Sequence, residues 1–154
     1  MSYQLQPDSV TAGLEREINR IFPGVPVYRE SVPAQETQYP CFFVHQLTQS
    51  ATAERRNHWL LHYLAEIRYH NADDPAVDRF GLLEQLDTIG LALLAELTHI
   101  IWDARPVPVR EPYYEKIEGV LYWRGSFNVI AKIPTAPDPM QEQLKVTTNL
   151  PQDL

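Results

Sequence analysis

The chain has 154 residues, 13 of them basic and 20 acidic, with five His, one Cys and 13 Pro, and its formal net charge is −7. That length fits one domain able to bury about 70% of the surface its unfolded form exposes, so neither a metal nor a disulfide is needed to hold a core. The lone Cys41 excludes an internal disulfide and points to a reducing compartment, and the acidic balance argues against gripping nucleic acid, which takes clustered Lys and Arg.

The first 25 residues lack a basic n-region with an apolar stretch. The richest apolar window, Ile89 to Trp102, is broken by Glu96, Thr98 and His99. Both features argue against a signal peptide and a membrane span. In chain order, Pro7 to Phe22 reads as a helix that Asp8 or Ser9 can cap. Val10, Leu14, Ile18 and Ile21 form one apolar stripe, and Phe22-Pro23-Gly24 ends it. Val25 to Glu30 predicts a short strand, placed by Pro26 at an edge or a strand start. Ser31 to Pro40 is a polar connection. Cys41 to Gln49 is a second strand, and Ser50 to Asn57 reads as a polar, charged loop.

Residues 58–70 alternate. Trp59, Leu61, Tyr63, Ala65, Ile67 and Tyr69 fall on one face. His58, His62, Glu66, Arg68 and His70 fall on the other, with Leu60 and Leu64 between them. Such a strand is about 40 Å long and pairs with 41–49 as a hairpin whose loop projects. After a turn over 71–75, Asp74 caps a helix with Pro75 at its first position. The helix runs to about Leu97, with Leu82, Leu86, Ile89, Leu93 and Leu97 as its buried stripe. A broken strand is expected from His99 through Arg110, because Pro106 and Pro108 remove donors. Residues 119–133 alternate most cleanly, with Leu121, Trp123, Gly125, Phe127, Val129 and Ala131 facing one way. The order α-β-β-β-α-β-β predicts an α+β fold: a mostly antiparallel sheet of about five strands with both helices on one face. Residues 1–133 form the domain. Residues 134–154 are a Pro-rich tail, sparse in apolar residues, of a kind that orders on a partner.

Chemistry is harder to find. Cys41 and His45 share a strand face but lie about 13 Å apart along it, too far for a nucleophile and its base. Cys41 reads as a small buried hydrophobe. His58 and His62 have a helical metal-ligand spacing, but on a strand they separate by about 13 Å. The sequence therefore assigns no catalytic, cofactor or metal residue. Glu15, Glu17, Glu84, Asp87 and Glu96 read as solvated helix faces. No dinucleotide, P-loop or nucleophile-elbow motif is present.

Several pieces, in order, are similar to a known family. They are Ile18-Asn19 and Phe22-Pro23, then Val27-Tyr28 and Glu30, then Tyr39-Pro-Cys-Phe-Phe-Val44. Arg55 and Arg56 follow, ahead of the aromatic strand Tyr63 to Tyr69, and then Glu118-Gly-Val-Leu-Tyr-Trp123 leading into Phe127. From Leu14 to Ile133 the chain resembles phage tail terminator (tail completion) proteins of long-tailed phages and prophages. The resemblance implies a non-enzymatic structural protein of the virion tail, present in host cytoplasm during assembly. It implies a ring, usually of six subunits, on the head-proximal end of the tail tube, which stops tube growth and joins the head. Its partners would be other copies, the tube protein and the head connector, with DNA passing through the lumen unbound and no membrane involved. Six copies at −7 would carry about −42, which repels DNA.

The contact residues expected are Arg55 and Arg56 in the projecting loop, His58, His62 and Arg68 on the polar strand face, and Met140, Leu144 and Val146 in the tail. The rival readings are another head–tail connector or neck protein and, in a different class, a small metal-dependent hydrolase using His58 and His62.

Overall fold

The structure is a computed structural model and describes residues 9–29, 37–71 and 79–132. The helix start at Pro7, the Asp74–Pro75 cap and the tail with Met140, Leu144 and Val146 lie outside those residues. The elements are α1 (Ser9–Ile21), β1 (Val27–Tyr28), β2 (Cys41–Arg55), β3 (His58–His70), α2 (Arg79–Glu96), β4 (His99–Trp102), β5 (Arg105–Pro108), β6 (Arg110–Ile117) and β7 (Val120–Lys132). Five strands make one sheet in the order β1-β2-β3-β7-β6. β4 and β5 form a separate two-stranded ribbon. Only β1 pairs parallel, at the sheet edge. The fold is α+β, and the predicted order of elements holds.

The alternation in β3 and β7 decides which face is apolar. Leu61, Tyr63, Ala65, Ile67 and Tyr69 are buried on β3, and Leu121, Trp123, Phe127, Val129 and Ala131 on β7. The two strands pair without a break from His58↔Lys132 to His70↔Val120, so these residues interleave on one face. Val10, Leu14 and Ile18 of α1 and Leu86 and Leu93 of α2 join the same core. Each fully buried side chain of this size contributes about 1.5–3 kcal/mol. Ile21, Leu82 and Ile89 of the predicted stripes pack against it half-buried. No helix among the described residues is long and apolar enough to cross a membrane.

Two segments differ from expectation. Ser50 to Arg55 is strand, not loop: β2 stays paired with β3 through Ser50↔His62, Ala51↔Leu61 and Thr52↔Leu60 to Arg55↔His58. The loop shrinks to Arg56-Asn57, with Asn57 at φ 62°, a region Asn tolerates. β2 is exposed from Thr48 onward, while β3 stays paired with β7 as far as His58↔Lys132, so the hairpin ends with the sheet instead of projecting from it. The expected broken strand of 99–110 resolves into β4 and β5, joined by Asp103-Ala104 at φ 53° and 60°, the signature of a tight type I′ turn. A further strand, β6, then pairs with β7 through a similar turn at Glu118-Gly119.

Helix α2 is fastened over β6 by a close approach at Gly90. A Cβ there would lie 2.6 Å from Tyr114 Cδ1. The Tyr114 hydroxyl donates to Asp87 Oδ1 at 2.9 Å, and Lys116 Nζ lies 2.9 Å from Asp87 Oδ2. Asp87 is therefore an anchor, not a bare solvated carboxylate. Glu17 departs from expectation in the same way: it is 8% exposed and pairs with Arg20 at 3.0 Å. Gly90→Val is expected to cost roughly 1–3 kcal/mol by overpacking, because the ring must leave its seat on the helix. Urea unfolding at neutral pH reads this directly. A midpoint equal to that of the parent would show that the ring has another place to go.

Candidate functional site

The sheet face away from the helices is polar, and its centre is a row that crosses four strands. His45 pairs with Glu66, Glu66 with Arg124, and Arg124 with Tyr113. Glu66 has no solvent exposure. Arg68 Nε donates to its Oε1 at 2.6 Å and Arg124 Nε to its Oε2 at 2.7 Å. Arg124 also donates to the Tyr113 hydroxyl at 3.3 Å. The Tyr122 ring packs against both guanidiniums, 5.3 Å from Arg68 Cζ and 6.0 Å from Arg124 Cζ. One carboxylate thus holds two cations whose side chains remain 28% and 30% exposed.

The electrostatics follow from that geometry. Burial pushes the Glu66 carboxyl upward, but the hydrogen bonds and charges of Arg68 and Arg124 outweigh it and hold the group below its usual range. His45 Nε2 lies 3.2 Å from Glu66 Oε1. Burial lowers the His45 pKa, Glu66 raises it, and Arg68 and Arg124 lower it again, with the net result downward. The imidazole is therefore neutral near pH 7, and its contact is a hydrogen bond donated by Nε2–H rather than an ion pair. His70 is lowered by burial and by Arg68.

Stability is expected to fall with acid in two stages. The neutral imidazoles favour the fold fully above the ordinary His value near 6.5, and that contribution is lost as pH drops through their lowered folded values. The Glu66 contribution is complete above the ordinary carboxyl value of 4.5 and is lost as pH falls through its own lower folded value. Thermal unfolding between pH 8 and pH 3 should show both limbs. A flat midpoint from pH 6.5 to 5 would contradict the His part.

The expected contact residues scatter over this face. Arg68 belongs to the Glu66 cluster. His62 is exposed, and its Nδ1 meets Asn128 Oδ1. His58 Nδ1 lies 3.0 Å from the Arg56 carbonyl oxygen, beside the tip. Arg55 and Arg56 are exposed, and Lys132 stands opposite His58 on β7, so the tip is basic. His58 and His62 lie on a strand with separate partners, and no group of three or more His, Cys, Asp or Glu among the described residues could hold a metal. Cys41 is sealed, its thiol pushed up to about 11 by burial.

Sequence reasoning missed Glu66 as the keystone. The available signal was Arg68, two residues along the same strand and therefore on the same face.

Charge is divided unevenly along the chain. The described residues hold 12 Arg and Lys against 11 Asp and Glu, a balance of +1. The −7 of the whole chain therefore comes from the segments outside them.

A family model described as phage tail terminator protein matches residues 9–139. No curated protein matches the chain. Thirteen chains of solved structures do. One of them is 10% identical over 86% of this chain and 99% of its own, with a TM-score of 0.38. The family match covers far more than half of the sequence and includes the helix-backed sheet, the Glu66 row and the β2–β3 hairpin: this chain belongs to the phage tail terminator family and is a structural component of the phage tail.

Proposed function

We propose that the protein closes the head-proximal end of the tail tube as a ring of identical subunits, arrests tube growth, and presents the surface on which the head connector docks. Family membership supports this reading. The observation that carries it is the β2–β3 hairpin, whose edge strand β2 is exposed from Thr48 onward and whose tip carries the exposed cations Arg55 and Arg56 beside Lys132. A ring that caps a tube uses heterologous contacts closed by rotation, and an exposed edge strand with a charged tip suits such contacts. On this reading six copies form the ring, and DNA passes through the lumen without specific binding. The tail residues Met140, Leu144 and Val146 dock on tube or neighbour. Assembly takes place in the host cytoplasm. The −8 held by segments outside the described residues, not the near-neutral body, supplies the repulsion of phosphate.

Electron microscopy of tails made without the protein tests the proposal: overlong or headless tails are expected, and tails of normal length joined to heads would sink it. Mixing purified protein with tubes and with connector-bearing heads separates it from the neck-protein alternative, which binding to heads alone would favour. Reversing the tip charge, Arg55→Glu with Arg56→Glu, should leave stability within about 0.5 kcal/mol, since both side chains are exposed. The same change should weaken tube capping, and the defect should be seen by counting capped ends.

A further inference from the structure

We infer that the tip half of β2 is a strand-accepting edge whose occupant is β6 of a second copy, paired antiparallel, so that the sheet runs on from subunit to subunit. The inference rests on the ring reading above and names the surfaces that would make it.

The edges carry the argument. β1 covers β2 only at Phe42 and Phe43. From Gln46 to Arg55, β2 has β3 on one side and no strand on the other among the described residues. An exposed edge in a free-standing protein is normally blunted by charge, Pro or a bulge. Here the register shifts lie at the two ends, between Gln46 and Thr48 and between Ala53 and Arg55, and the run Gln46–Ala53 has no charge, no Pro and no Gly. The opposite edge, β6, has its bulge and Pro112 confined to one end. Tyr113 to Ile117 pair with β7 in unbroken register, and their outer edge has no strand on it among the described residues.

The two edges occupy successive levels of the sheet. β6 spans the level of His70, where Ile117 meets Val120, to the level of Leu64, where Arg110 meets Ser126. The open part of β2 starts at that second level, where Thr48 meets Leu64, and ends where Arg55 meets His58. A second copy displaced by the six residues from His70 to Leu64, about 20 Å, lays its β6 along the open edge and passes clear of β1. Direction also agrees, because β2, β3, β7 and β6 alternate and β6 runs opposite to β2. Those four strands are about 19 Å wide. A 20 Å stagger over that width is a strand tilt near 45°, at the upper end of the roughly 35–45° that closes a sheet into a barrel. The offset is thus of the size found where sheets close on themselves. Side chains match in parity: Ser50 and Glu115 both lie on the helix-free face, while Ala51 and Tyr114 lie on the other. In this arrangement Arg110 and Glu111 come level with the tip of β2, Arg110 at the level of Arg55 and Glu111 next to it.

Disulfide mapping tests it. Glu115→Cys is combined in turn with Thr48→Cys, Ser50→Cys and Thr52→Cys, steps of two that keep the face while scanning the register. Buried Cys41 stays in place. The full-length variants are assembled on tubes and oxidised, and covalent species are separated by size. One pair should give a ladder beyond the dimer, while the single variants stop at dimers. Rings seen at tube ends with no ladder from any pair would overturn the inference and leave the ring reading intact. Failure of the parent protein to form rings on tubes would overturn both.

Discussion

Glu66→Gln is expected to lower stability by about 3 kcal/mol, more than any other single polar change. Removing one partner of a buried ion pair costs about 3–5 kcal/mol, because the remaining charge is left uncompensated. Here two guanidiniums lose their common acceptor, but each side chain keeps 28–30% exposure and can turn partly to water, which places the cost at the low end. Glutamine fits the space, yet its one oxygen cannot accept at both positions, and its amide group would face an arginine. Chemical denaturation gives the magnitude. The acid limb assigned to Glu66 should vanish in the variant while the His limb, which begins below the ordinary value of 6.5, persists. A double-mutant cycle with Arg124→Met should return a coupling of about 1–3 kcal/mol. Additivity would mean that the cluster is not the unit the distances describe. The parent and Glu66→Gln should also differ less in 1 M salt only if water reaches the pair. Little change is expected, since buried charges are weakly screened.

Trp123→Ala should cost about 3–5 kcal/mol, the largest apolar effect. Trp123 sits on β7, an interior strand between β3 and β6, with no exposure. Its ring lies over Gly125: a Cβ at that glycine would be 2.6 Å from Trp123 Cη2 and 2.8 Å from Val109 Cγ1. Tryptophan, glycine and Val109 therefore form one fitted stack, and Gly125→Ala should itself cost roughly 1–3 kcal/mol. Trp123→Phe discriminates further. The indole Nε1 is buried without a hydrogen-bond partner among the described residues. Phenylalanine deletes that unpaired donor, and the gain offsets part of the cavity it leaves. The expected loss is about 1 kcal/mol, well under half that of Trp123→Ala. Equal losses for Phe and Ala would show that the donor finds a partner.

The fold was largely legible because two strands carry their address in their own pattern. The inward residues of β3 and β7 are apolar at every second position, which fixes a face and, through it, the side on which α1 and α2 must lie. Where a strand has no buried face, the pattern is silent. Ser50 to Arg55 are small, polar or charged on both sides and look like loop. Their strand character comes from pairing with β3, not from burial. β6 failed for a related reason. Arg-Glu-Pro-Tyr-Tyr-Glu-Lys-Ile shows no apolar alternation, and only pairing with β7 and the Glu118-Gly119 turn make it a strand. The site was less legible still. His58, His62 and Arg68 were rightly placed on one strand, but the sheet partners of Glu66 are set by register between strands some 58 residues apart in the chain. Registers between distant strands are written in no single segment.

The sealed thiol has a consequence for the particle's life outside the host. A tail component meets air and peroxide once the particle is released. Only a thiolate attacks a disulfide or is readily oxidised. At a pKa of about 11 and without solvent contact, Cys41 supplies almost none. This tail component is therefore not cross-linked through Cys41 as the virion ages, and its surroundings stay free of that covalent drift.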